Sequence, residues 1–106
     1  MRAGKLRHRV RLQREQTEDD LAGADNVSFI EVDTVWADVR TSGGREFWEA
    51  KKLTPELTHE VEIRYRDDVV AGMRFLCGTQ VLRIQAPVDP DGRRISLLVM
   101  CQELVQ

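Results

Sequence analysis

Cysteine is scarce in this sequence. The two present, Cys77 and Cys101, are far apart and neither sits in a CxxC pattern. They read as buried thiols rather than a disulfide framework or a zinc ribbon. No apolar run is long enough to span a bilayer, so no membrane contact is expected. No apolar h-region follows the basic N-terminal stretch, so a signal peptide is not expected and the cytoplasm is the expected compartment of synthesis. Internal repeats and low-complexity tracts are missing. There is no phosphate loop, no Rossmann glycine run and no nucleophile elbow. Gly43-Gly44 lacks the Lys-Ser/Thr that a phosphate cradle requires.

The residues that remain for chemistry do not form a constellation. His8 and His59 both fall on the apolar side of predicted strands, and each reads as an interior or rim histidine. With Cys77 or Cys101 they would make a metal set only by an unsupported ligand spacing. Asp89 and Asp91 in DPDG lack the distal glutamate of a calcium loop and read as turn residues. Asp67 and Asp68, if extended, point to opposite faces, which argues against an acid–base pair. Both cysteines lie in apolar runs, where thiols are usually inert. No catalytic, cofactor-binding or metal-binding residue is expected, and the protein is not expected to be an enzyme.

What is present is one domain, residues 1–106, with 42% hydrophobic and 32% charged residues and a net charge of −2. That balance does not point to general nucleic-acid affinity. The charge is unevenly placed. Residues 1–14 carry Arg2, Lys5, Arg7, Arg9, Arg11 and Arg14 and no acid, whereas residues 15–33 carry Glu15, Glu18, Asp19, Asp20, Asp25, Glu31 and Asp33 and no base. Such strips can pair within one chain or between neighbouring copies.

Period-two patterning dominates. Leu6, His8, Val10 and Leu12 alternate with Lys5, Arg7, Arg9 and Arg11, which predicts a half-buried strand. Residues 15–26 are acidic and poor in large apolar groups, and predict an exposed loop. Strands are predicted at 27–32 and 34–40, with Trp36 opposite Val35, Ala37 and Val39 and most simply core. Residues 45–53 (REFWEAKKL) have helical propensity and end at Leu53-Thr54-Pro55, within a long excursion over 41–57. The cleanest strand is 57–66, with Leu57, His59, Val61, Ile63 and Tyr65 facing in and Glu60, Glu62, Arg64 and Arg66 facing out. A hairpin is predicted from 73–77 and 81–86 around Gly78-Thr79-Gln80, then a turn at 87–92. A last strand, 93–104, has one face of Ile95, Leu97, Val99 and Cys101. Its other face, Leu98 and Met100, is also apolar, so it is central or lies under a partner. The fold class is all-β: a small barrel or sandwich of about six to seven antiparallel strands, with one short helix in a long loop.

Two features invite a functional reading. Arg7, Arg9 and Arg11 stand roughly 7 Å apart on one strand face, close to the phosphate spacing of one nucleic-acid strand. No stacking platform accompanies them in sequence, and a solvated or subunit-facing strand is the better account. Phe47-Trp48 lies in an otherwise charged excursion. Either one ring packs while the other covers a barrel end, or the pair anchors a protein interface; the residues alone leave both open.

Taken in order, AGKLRHRVRLQR, TVWADVR, GGREFWEA, HEVEIRYRDDV, MRF, VLRIQAPVDPDGRR and LLVMCQE resemble the tailed-phage head–tail joining proteins, also called head–tail adaptor, head-closure or stopper proteins. The similarity covers essentially the whole chain. Two stretches depart from it: Gln80-Val81-Leu82 replaces a frequent aromatic, and the acidic loop has its own sequence. The resemblance implies a structural virion component without cofactors, made in the host cytoplasm. It implies a β-barrel in a homo-oligomeric ring beneath the portal and adaptor, contacting tail proteins, that completes the filled head and helps retain DNA. DNA would pass through without sequence-specific binding, and a monomer in isolation is compatible with this. The segment 41–57 would be the lumen or gating loop, with Gly43 and Gly44 in its hinge and Phe47 within it; Glu46, Glu49 and Glu56 would face DNA by repulsion. Arg7, Arg9 and Arg11 would meet Glu18, Asp19 and Asp20 of the next copy, and Trp48 would join the connector interface. Rival readings are an oligonucleotide-binding type β-barrel for single-stranded nucleic acid and, more remotely, a thiol or metal enzyme.

Overall fold

The computed structural model describes residues 6–19 and 25–105. Six strands follow one another with a single helix after the second: β1 (His8–Asp19), β2 (Asp25–Arg40), α1 (Arg45–Leu53), β3 (His59–Arg64), β4 (Arg74–Cys77), β5 (Gln80–Val88) and β6 (Ser96–Leu104). They close into an antiparallel barrel in the order β1-β2-β3-β6-β5-β4. The closing contact is short, with Arg11, Leu12 and Gln13 opposite Leu76, Phe75 and Arg74. Closure removes the open edges that invite unwanted strand pairing.

Alternation fills the interior. Val10, Leu12, Ala37, Val61, Ile63, Phe75, Leu82, Ile84, Val99 and Cys101 point inward and are fully buried. Leu98 and Met100 leave β6 on the opposite side and, with Leu57, meet Phe47 of α1 in a second cluster outside the barrel. The cover that the two-faced β6 pattern demands is therefore α1. A register shift between Ile84 and Ala86 turns Ala86 and Val88 towards the same cluster.

Several sequence expectations are corrected. Residues 15–19 and 25–26 are strand, not loop: β1 and β2 pair continuously as far as Asp19 opposite Asp25. Strands expected at 27–32 and 34–40 are one strand, with an irregularity between Leu12 and Gln13 on its partner. This hairpin runs past the barrel wall as an arm, and the molecule measures 48 × 29 × 27 Å. Residues 15–26 carry no apolar alternation, so that stretch of sequence looks like a loop. Glu60 and Glu62 are buried rather than solvated, Glu60 beneath the Gly43 turn of the 41–57 excursion and Glu62 beside Arg40. His8 is exposed rather than inward-facing, and Trp36 is about half exposed rather than core. The turn expected at 87–92 begins later, since Pro87 and Val88 pair with Val99 and Leu98. It is held by the Arg94 amide donating to Asp89 Oδ2 at 3.0 Å, with Gly92 and Arg94 at φ 66° and 57°.

Candidate functional surfaces

Two surfaces carry the residues singled out from the sequence. The first is the helix on the barrel wall. Gly44 caps α1 at its start, and Lys51 closes its end by donating to the carbonyls of Pro55 (2.9 Å) and Leu57 (2.6 Å). Phe47 is 2% exposed and faces the barrel; Trp48, its neighbour, is 53% exposed and meets Phe47 edge to face at 5.5 Å. One ring packs and the other stands in solvent. Leu53, at the end of the helix, is exposed as well. Glu49 is exposed and pairs with Arg45 at 3.0 Å, and Glu56 is exposed.

Beneath the start of α1 lies a polar cluster that the sequence did not reveal. Glu60 on β3 accepts from Arg40 on β2 at 2.5 Å, and Arg40 also approaches Glu62 (3.5 Å) and Asp38 (3.7 Å). The second Glu60 oxygen, Oε2, points at the Gly43-Gly44 turn without a full hydrogen bond. Burial pushes the Glu60 carboxyl above its ordinary range. The Arg40 guanidinium opposes that shift, Glu46 and Glu62 reinforce it, and the nearby Gly44 amide opposes it. A Cβ on Gly43 would lie 2.6 Å from the Glu60 carboxyl carbon and 2.7 Å from Phe47 Cβ. Gly43, Gly44, Glu46 and Phe47 therefore converge on Glu60, while Glu49 and Glu56 do not. Of the two glycines expected in the hinge, Gly43 is packed closely against Glu60 and Phe47, whereas Gly44 has open space around it.

The second surface is the outer face of β1. Arg11 is neutralised within the chain: it bonds Glu31 on β2 (2.7 Å from Nε), and Gln13 donates to the same oxygen at 2.6 Å. Those two hydrogen bonds hold the Glu31 carboxyl below its usual range. Part of the basic strip and part of the acidic strip thus pair in cis. Arg9 stacks over Trp36, 4.8 Å from the ring centre, so an aromatic does accompany the basic strand, supplied by β2. Arg7 is exposed. Glu18 and Asp19 lie on the β1 arm, but their side chains, and all of Asp20, fall outside the described residues. Arg66 binds Asp33 (2.6 Å) and Asp68 (2.9 Å), which keeps both carboxyls below their usual range.

His59 is buried beside Thr58, whose hydroxyl lies 2.8 Å from Nδ1. Among the described residues no three His, Cys, Asp or Glu side chains gather as metal ligands would. Among the described residues no helix is long and apolar enough to cross a membrane.

The fold is a small closed antiparallel β-barrel that carries its helix and its basic strand on the outer walls. The chain belongs to the phage head completion protein family, whose model matches residues 1–104; this is a family of structural virion proteins with a role at the head–tail region. Among solved structures it is similar to protein SF1141 from Shigella flexneri 2a, at 30% identity and TM-score 0.73 over 97% of this chain and 96% of that one. It also shares its fold with a chain of the virion of a native gene transfer agent particle, at 20% identity and TM-score 0.67 over 95% and 97%. No curated protein matches the chain.

Proposed function

We propose that this protein joins the DNA-filled phage head to the tail and helps close the portal channel. Copies form a ring between the portal or adaptor proteins and the tail proteins, and the isolated chain is compatible with a monomer. The protein is made in the host cytoplasm and works in the virion without catalysis. One observation carries the reading: α1 is seated rigidly on the barrel wall, yet leaves Trp48 and Leu53, 53% and 89% exposed, pointing outward. An aromatic and a leucine on a well-packed element suit an interface with another protein.

In this reading the 41–57 segment faces the channel. Glu49 and Glu56 present negative charge to DNA, with Glu46 behind them, while Gly43, Gly44 and Phe47 fix the helix to the wall. Arg7 and Arg9, with Arg11 shared with Glu31, face the acidic Glu18–Asp20 segment of the next copy. The oligonucleotide-binding alternative draws on Trp36, exposed beside Arg9. Electron microscopy of particles assembled without the protein tests the main reading. Filled heads lacking tails and leaking DNA, rescued by supplying the protein, support it; tailed particles that keep their DNA contradict it.

A further inference from the structure

We infer that the outer-wall groove bordered by Arg9, Trp36, Arg64 and Tyr65 receives the acidic, leucine-bearing β1–β2 turn of a second copy. This deepens the ring reading above and rests on it.

The groove follows from strand register. Arg9 is opposite Trp36, and Ala37 is opposite Ile63, so Arg9, Trp36 and Arg64 line up across β1, β2 and the end of β3 on the outer face. Together with Thr34, Val35, Tyr65 and Arg66 they enclose about 350 Å³. Trp36 is 51% exposed there. The three cations are not equivalent. Arg66 is already neutralised by Asp33 and Asp68. Arg9 stacks on Trp36, and neither it nor Arg64 has a carboxylate partner among the described residues. The result is an apolar floor between two free guanidinium groups, each able to take a carboxylate in bidentate fashion. Trp, Tyr and Arg are also the residue types that dominate interface hot spots.

The chain contains a segment of complementary chemistry. Glu18, Asp19, Asp20 and Asp25 surround Leu21, with no base among residues 18–25. These acids cannot reach their own groove. β1 is continuous from His8 to Asp19 and paired with β2 throughout. Nine residues of strand hold Glu18 roughly 30 Å from Arg9. A second copy faces no such restraint. The contact is head-to-tail, one copy's arm to the next copy's wall, and such contacts close into rings when the rotation allows. A nucleic-acid strand is the competing anionic occupant, and the test below separates the two.

The test uses a fluorescein-labelled peptide of residues 15–26, titrated into the full chain and followed by anisotropy. Saturable binding that weakens about tenfold in Arg64→Glu and in Arg9→Glu, and with rising salt, supports the proposal. Circular dichroism checks that each variant is folded. A peptide with Glu18, Asp19, Asp20 and Asp25 changed to amides should lose binding. No saturation, equal binding by Arg64→Glu, or tighter binding of an oligothymidylate of similar length overturns it. Failure here is separable from failure of the head–tail reading. If the peptide does not bind but particles lacking the protein still fail to join tails, only the groove assignment falls. If such particles are tailed and stable, the head–tail reading falls whatever the peptide does.

Discussion

Arg40 on β2 grips Glu60 on β3 at 2.5 Å directly beneath the turn that starts α1. The side chain of Glu60 is 2% exposed and that of Arg40 34%, so the carboxylate is the buried partner. Removing one partner strands the other charge, which costs about 3 kcal/mol in such settings. Arg40→Ala is expected to lower stability by about that amount in neutral denaturant titrations, and by less in acid, where Glu60 takes up a proton.

Glu60 also gives a pH signature of defined sign. Its folded-state pKa lies above the unfolded value of 4.5 because burial disfavours the anion. Between 4.5 and the raised folded value the native state binds more protons than the unfolded chain, so this group's contribution to stability falls as pH rises. Asp33 and Asp68, lowered mainly by hydrogen bonds from Arg66, act oppositely: their contribution is present at neutral pH and is lost in acid. Measured by urea unfolding from about pH 5 to about pH 8, Glu60→Gln is expected to gain stability relative to the wild type as pH rises. A constant difference across that range counts against a buried, ionising Glu60.

Gly43 and Gly44 are adjacent but not equivalent. A Cβ at Gly43 collides with Glu60 and Phe47, whereas the nearest atom to one at Gly44 is Glu46 Oε2 at 3.9 Å. Gly43→Ala is expected to cost about 1–3 kcal/mol through displaced packing. Gly44→Ala is expected to cost less than about 1 kcal/mol, as a weak change at a helix N-cap. Thermal melts of the two variants check this order.

Phe47 and Trp48 should separate stability from assembly. Phe47→Ala empties a buried site and is expected to cost about 3–5 kcal/mol. Trp48→Ala removes an exposed ring and one edge contact and is expected to cost less than about 1 kcal/mol. Particles carrying Trp48→Ala are nevertheless expected to join tails poorly. Normal joining by that variant would remove Trp48 from the interface.

The two thiols are expected to differ in the native state. Burial pushes the Cys101 thiol far up, and its Sγ donates to the Val99 carbonyl at 3.6 Å. Cys77 is only half buried. Alkylation followed by mass spectrometry should label Cys77 first and Cys101 only on unfolding. Equal labelling would mean that the barrel interior opens readily.

Legibility in sequence followed the core. Where one face packs inside the barrel, alternation located the strand: Val61 and Ile63 in β3, Leu97 and Val99 in β6. The helix matched REFWEAKKL from Arg45 to Leu53, and the apolar Leu98 and Met100 signalled that β6 has a cover. Failures arose where the environment came from elsewhere in the chain. Glu60 sits in an alternating strand as any solvated acid would, and only the distant Gly43 turn buries it. Trp36 looks like core by size, yet its outward register places it beside Arg9. On the β1 side of the arm, EQTED carries no apolar alternation to mark the pairing of Glu15 with Phe29 or Gln16 with Ser28, whereas on the β2 side VSFIEV did signal a strand.

The most direct test is an electron cryomicroscopy map of the head–tail vertex of the particle that incorporates this protein. The expected map shows a ring of six-stranded barrels between portal and tail, with α1 of each copy towards the channel and Glu49 and Glu56 facing the lumen. A map with these barrels absent from the vertex, or with α1 turned away from the channel and the lumen lined by another protein, contradicts the account.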